Sequence, residues 1–220
     1  MPETVSSKIL RVYLLRHGEP EFPDPRPRLY GWTDYPLSPE GEGQAGRAGK
    51  ALARVSLGRI VTSDLARARR TAEIVAACRL SAPAVEPFSA LREVGMGEWE
   101  GLTKEEARQR DPERFLARGR DIAGVAPPAG ESLADVQKRA VRVFEEIAAD
   151  HVGGLLVVAH RAVLWGIFSH LFALPLEDFF RYEMDYCGMH VLERAEGGGT
   201  RLLRWNWTPS LGANDVDMSH

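Results

Sequence analysis

Residues 155–159 read LLVVA, five apolar residues without interruption. Residues 9–15 read ILRVYLL, nearly as apolar. Runs this short are strands rather than helices. A strand with no polar alternation is buried on both faces, which is the condition of a mostly parallel sheet covered by helices above and below. Both runs also stop on the same kind of residue. The first meets Arg16-His17-Gly18 and the second meets His160.

The chain between and after these runs alternates as that architecture requires. Residues 20–37 read as a proline-rich loop. Ser38-Pro39 reads as an N-cap with proline at the first helical position, opening a helix to about Val55. Arg59 to Thr62 is a short strand, after which Ser63 or Asp64 is expected to cap a helix to about Cys78. Ala84 to Phe88 is a candidate strand. Residues 102–120 pattern as helix with a break at Asp111-Pro112. Ser132 is placed to cap a helix to about Ala149, and another helix follows His160 to about Leu174. Residues 187–194 and 200–207 suggest a hairpin around Gly197-Gly198-Gly199. The expected fold is α/β, a three-layer αβα sandwich with a mostly parallel central sheet. One domain spans 1–220, with a polar tail from about 208.

With 220 residues the chain is long enough for a full core, and its net charge of −3 gives no reason to expect nucleic acid or an anionic membrane as partner. No stretch has the apolar length of a membrane span, and the N-terminal apolar run, interrupted by Arg11, does not read as a signal peptide. Cys78 and Cys187, the two cysteines, form no CxxC pair and no ligand spacing, and are expected as free thiols. The expected compartment is the cytoplasm. The closing hairpin offers an edge strand as a candidate homodimer contact.

In a parallel sheet, ligands bind beyond the carboxyl ends of the strands. Three such places carry polar groups: Arg16-His17, Ser63-Asp64 with arginines behind it, and His160. A single histidine after a strand is more often structural. If their strands are neighbours, the two histidines can converge; joined there by Arg16 and Arg67, they would leave an excess of positive charge that calls for an anion. A phosphoryl group fits, because guanidinium forks match phosphate oxygens in pairs and a neutral imidazole nitrogen is a nucleophile toward phosphorus. The leaving alkoxide then needs an acid, and Glu93, Glu98 and Glu100 are all candidates. No metal or cofactor is required, and the sequence carries no HExxH and no Walker-type glycine loop.

These motifs, in this order, resemble the histidine phosphatase superfamily, the phosphoglycerate mutase-like proteins. The likeness runs from about Val12 to Glu193. Leu15-Arg16-His17-Gly18-Glu19 is similar to the family signature, Gly31-Trp32-Thr33-Asp34-Tyr35-Pro36-Leu37-Ser38 to its following loop, and Ser63 to Ala72 to its second motif. Leu91-Arg92-Glu93 is similar to its proton-donor segment and Val157-Val158-Ala159-His160 to its last motif. The resemblance implies His17 as phosphorylated nucleophile, Arg16, Arg67 and His160 as phosphate ligands with His160 also catalytic, and Glu93 as proton donor. Gly18 would let the backbone turn sharply away from the ligand. The implied substrate is a small phosphomonoester.

Two departures stand out. Arg161 follows His160 where the family usually has glycine, and Pro20 with Glu21-Phe22-Pro23 replaces a polar stretch. Arg161 either recruits an acidic substrate or turns away to cap or pair with something else. Glu19, Trp32 and Arg161 are candidate substrate contacts, as are Arg26, Arg28 and Tyr30 in the proline-rich loop. GEWEG, the short 101–130 region and PPAGES look closer to the phosphatase branch, including α-ribazole-phosphate phosphatases. The expectation is therefore a metal-independent phosphomonoesterase of the 3.1.3 class. Mutase-type phosphoryl transfer and a non-catalytic phosphate-binding scaffold are the alternatives.

Overall fold

The computed structural model describes residues 9–149, 153–197 and 199–209. Its element order is β1 (Ile9–Arg16), α1 (Pro39–Leu52), β2 (Leu57–Ser63), α2 (Ala66–Ala77), β3 (Val85–Phe88), α3 (Lys104–Arg110), α4 (Pro112–Arg120), α5 (Leu133–Ala149), β4 (Gly154–Ala159), α6 (Arg161–Leu171), β5 (Met189–Ala195) and β6 (Thr200–Trp207). Short 3₁₀ turns lie at Ser89–Leu91, Gly97–Trp99 and Leu176–Arg181. The six strands form one sheet in the order β3-β2-β4-β1-β5-β6. The β3-β2-β4-β1 part is parallel, and β5 and β6 add antiparallel to it.

The pleat divides the apolar strand residues between two cores. Val12, Leu14, Leu155 and Val157 face one way and pack with α5 and α6. Tyr13, Leu15, Leu156 and Val158 face the other and pack with α1 and α2. All eight are essentially sealed from solvent. This is the physical reason β1 and β4 lack polar alternation, and it makes the molecule three layers, helices on both faces of a mostly parallel sheet.

Several local expectations change. Helix α1 ends at Leu52 rather than near Val55, and α6 ends at Leu171, with the 3₁₀ turn Leu176–Arg181 beyond it. Neither Ser63 nor Asp64 supplies the N-cap of α2. Leu65 stands there without a side-chain cap. The carboxylate of Asp64 is held by Arg92 at 2.6 and 2.8 Å, and the Ala66 N–H donates instead to Asp34 of the preceding loop. A distant carboxylate does the work of a local cap. Ser38 does cap α1, accepting from Gly41 at 3.0 Å. Ser132 and Asp135 bond reciprocally at the start of α5, a capping box in form. Most of the polar tail, with His220, lies outside the described residues, as does His151. Cys78 and Cys187 are free, and no helix among the described residues is long and apolar enough to cross a membrane.

Candidate active site

Strand register brings the two histidines together. β1 and β4 are parallel neighbours, and Arg16 is paired with Ala159. His17 and His160 are therefore the next residues of both strands, side by side at the carboxyl edge of the sheet. Their ring centroids are 4.9 Å apart, His17 is 5% exposed and His160 is fully buried. The β1–β4 crossing thus turns two motifs some 140 residues apart into one cluster.

The His17 Nδ1 lies 2.7 Å from the Gly18 carbonyl oxygen. A carbonyl only accepts, so Nδ1 carries the proton and Nε2 keeps its lone pair. Burial, then the nearby Arg67 and Arg16 charges, hold the His17 pKa well below the ordinary imidazole value. His160 is pushed the same way by burial, Arg67, His17 and Arg16. Both rings are neutral near pH 7, the form in which an imidazole nitrogen is nucleophilic.

Two arginines flank the pair. Arg67, buried at the start of α2, donates to the carbonyl oxygens of Thr33 at 3.0 Å and Gly31 at 2.8 Å. Arg16, the last residue of β1, donates from Nη1 to the Met184 carbonyl and lies 4.0 Å over the Tyr186 ring. The Arg16 Nε and both ring nitrogens of His160 are buried without a hydrogen-bond partner. Buried donors are seldom left so, and here they sit among guanidinium groups. The arrangement suits a tetrahedral oxyanion with several oxygens to share.

Glu93, partly buried, follows the 3₁₀ turn Ser89–Leu91. Its Oε1 accepts from the Val94 N–H at 2.8 Å and the Ala162 N–H at 3.3 Å. Burial raises its pKa against those bonds and the pull of Arg67 and Arg16. Its backbone carbonyl accepts from Trp32 Nε1 at 2.8 Å and Arg139 Nη2 at 2.9 Å. Glu98 lies elsewhere, 3.3 Å from Arg110 on the surface. Glu100 binds the loop through the Gly31 and Thr33 N–H groups. Of the three candidate acids, only Glu93 joins the cluster.

The other candidates divide. Glu19 accepts from Ser38 at 3.3 Å and its N–H donates to Gln44, so its contacts run to the start of α1. Trp32 secures the Glu93 backbone. Arg26 and Arg28 are paired with Asp24, whereas Tyr30 lines a cavity beside Glu93. Arg161 takes the capping alternative, donating to the Tyr182 and Phe179 carbonyls, and it also lines that cavity.

Gly18 is absent from the positive-φ positions, so the backbone does not use the left-handed freedom of glycine there. Glycine is needed for contact instead. A Cβ on Gly18 would sit 2.5 Å from the Gly41 carbonyl oxygen, and one on Gly41 would sit 2.1 Å from that of Glu19. The loop after β1 and the start of α1 touch backbone to backbone.

Sequence reasoning missed Tyr186 and Arg139. Tyr186 stands 5.7 Å from the His17 ring, and Arg139 joins Glu131 at 2.8 Å while holding the Ala90 and Glu93 carbonyls. A tyrosine in a polar loop and an arginine on an amphipathic helix carry no local signal. Glu131, inside PPAGES, did. His190 is buried and structural, accepting from the Asn206 N–H at 2.9 Å and bonding the Tyr182 hydroxyl at 2.7 Å.

Comparison with known proteins agrees with this geometry. Residues 12–208 match the Histidine phosphatase superfamily (branch 1). The chain is 33% identical over 198 residues to 2,3-bisphosphoglycerate-dependent phosphoglycerate mutase 2 of Gloeobacter violaceus, covering 87% of this chain and 90% of that one. Among solved structures it resembles the mycobacterial glucosyl-3-phosphoglycerate phosphatase (TM-score 0.78, 29% identity, 91% of this chain and 100% of the other). It also resembles the α-ribazole phosphatase of Shigella flexneri (TM-score 0.80, 26% identity, 90% and 96%). With its motifs in register, its sheet of the same build and this match over most of its length, the chain belongs to the histidine phosphatase superfamily.

Proposed function

We propose that this protein is a metal-independent phosphomonoester hydrolase acting through a phosphohistidine on His17. The observation that carries the reading is the buried, unpartnered donor set of His160 and Arg16 Nε beside His17, whose Nδ1–H is already committed to Gly18. Arg16, Arg67 and His160 hold the phosphoryl oxygens. The Nε2 lone pair of His17 attacks phosphorus in line as the P–O ester bond breaks. The leaving oxygen takes the ester electron pair and the proton of the Glu93 carboxyl. Water then attacks phosphorus as the P–N bond breaks, its electron pair returning to Nε2, and gives a proton to the Glu93 carboxylate. Inorganic phosphate leaves and His17 regains its lone pair. Loss of one oxyanion donor of this kind typically costs about 100- to 1000-fold in rate.

A second reading, return of the phosphoryl group to another hydroxyl, is favoured by the name of the Gloeobacter relative. Both are separated in one assay. Phosphate release is measured from a panel of phosphomonoesters in chelator, with 3-phosphoglycerate isomerisation followed in the same tubes. Chelator-resistant release, lost in His17→Ala, is the expected result. Isomer without net release overturns hydrolysis in favour of the mutase. Binding of phosphate with neither product, and no label on His17 from a reactive phosphodonor, overturns both in favour of a scaffold.

A further inference from the structure

Beside Glu93 opens a cavity of about 420 Å³, within the size range of small-molecule sites. We propose that it receives the leaving group, and that the substrates are phosphomonoesters of apolar, ring-bearing alcohols. This rests on the hydrolase reading above.

Position comes first. Arg16 and Glu93 both line the cavity. In the proposed chemistry Arg16 grips the phosphoryl group and Glu93 protonates the departing oxygen. Whatever is bonded to that oxygen must therefore leave the cluster past Glu93, which leads into this space. The walls decide the chemistry. Tyr30, Met96, Trp99, Phe115, Ile122 and Phe180 present rings, a thioether and an aliphatic chain, with the Tyr30 hydroxyl and the unpartnered Trp99 Nε1 as isolated polar points, where a sugar or a glycerate would need several hydrogen-bond partners.

Of the lining cations, Arg16 is given to the phosphoryl group in the proposed chemistry, and the other three do not form a paired site for a polar leaving group. Arg161 donates Nε and Nη2 to backbone carbonyls, and Arg118 donates Nη1 to those of Val125 and Glu131. Exposed Lys104 is a hydrated point charge, without the paired donors that fix a carboxylate.

Arg161, the residue that departs from the family pattern, builds part of the wall. It ties down the 3₁₀ turn Leu176–Arg181 through the Phe179 carbonyl, and its guanidinium lies 4.5 Å over the Phe179 ring. The next residue, Phe180, stands 64% exposed at the cavity. A large apolar side chain held in water there gains by covering an apolar ligand.

The test compares kcat/KM for 2-phenylethyl phosphate and ethyl phosphate. Their alcohols are of similar basicity, so the ratio reads contacts with the ring rather than ease of departure. Wild type is expected to favour the phenylethyl ester by roughly 30-fold, the worth of burying one such ring. Phe180→Ala and Arg161→Gly, with folding checked by thermal midpoint, are each expected to reduce that preference by about 5-fold. In parallel, wild type is treated with phosphoramidate, whose leaving group is ammonia and needs no pocket, and His17 is examined for phosphate. Equal kcat/KM for the two esters with His17 labelled overturns the leaving-group site and leaves the hydrolase standing. No label and no turnover of either ester overturns the hydrolase reading itself, and this inference with it.

Discussion

Burial lifts the pKa of Glu93 and lowers that of His17, so one environment favours a proton on the acid and none on the nucleophilic nitrogen. A prediction belongs to this scale. On the proposed mechanism, Glu93→Gln slows hydrolysis of an alkyl ester by about 100- to 10,000-fold. An ester of an acidic phenol, which departs without a proton, is slowed much less. Steady-state kcat on the two esters checks this, and equal losses would remove Glu93 from the role of acid. Arg139→Lys should reproduce the same asymmetry in weaker form, since it loosens the backbone that carries Glu93 while leaving the carboxyl in place.

Among the elements, the tightest constraint is the contact between the loop after β1 and the first turn of α1. Gly18→Ala has no escape through a flexible side chain, because the nearest atoms are the backbone of Gly41. Its expected cost is about 1–3 kcal/mol, the usual range for overpacking, read as a lower midpoint in urea unfolding. An unchanged midpoint would mean that the two segments separate freely. The sequence showed a glycine here and suggested a turn; only the packing of α1 revealed the reason. The same limit explains the cap of α2. Ser63 and Asp64 are good local capping residues, and a local reading favours them, but Arg92 claims Asp64 and Asp34 arrives from another loop. Apolar runs and caps that bond within four residues were legible, as β4 and Ser38 show. Partners brought from far along the chain were not, as Tyr186 and Arg139 show.

Taken whole, the described residues include three buried, neutral histidines, His17, His160 and His190, the last with its pKa lowered to about 4 by burial. Each folded-state value lies below the unfolded one of about 6.5. Stability from these groups is therefore complete above pH 6.5. It is lost as pH falls toward the folded values, because the unfolded chain binds the protons first. His190 alone accounts for about 3 kcal/mol over that window on this reasoning. Urea unfolding at pH 7 and pH 5 should show a clear loss at pH 5, and equal stability would mean that these rings are charged in the folded protein.

The sheet order also dictates when the site can exist during synthesis. Strand β1 is made well before β4 and β5, the two strands it lies between. Until residues 154–195 leave the ribosome, Val12 to Leu15 have neither ladder partner, and His17 has no neighbour in His160. Until then the nascent chain carries an apolar strand with two open edges, and of its later partners only α1 and α2 are available to cover it. On the proposed mechanism, a fragment that stops before β4 lacks His160 and would be inert rather than partly active.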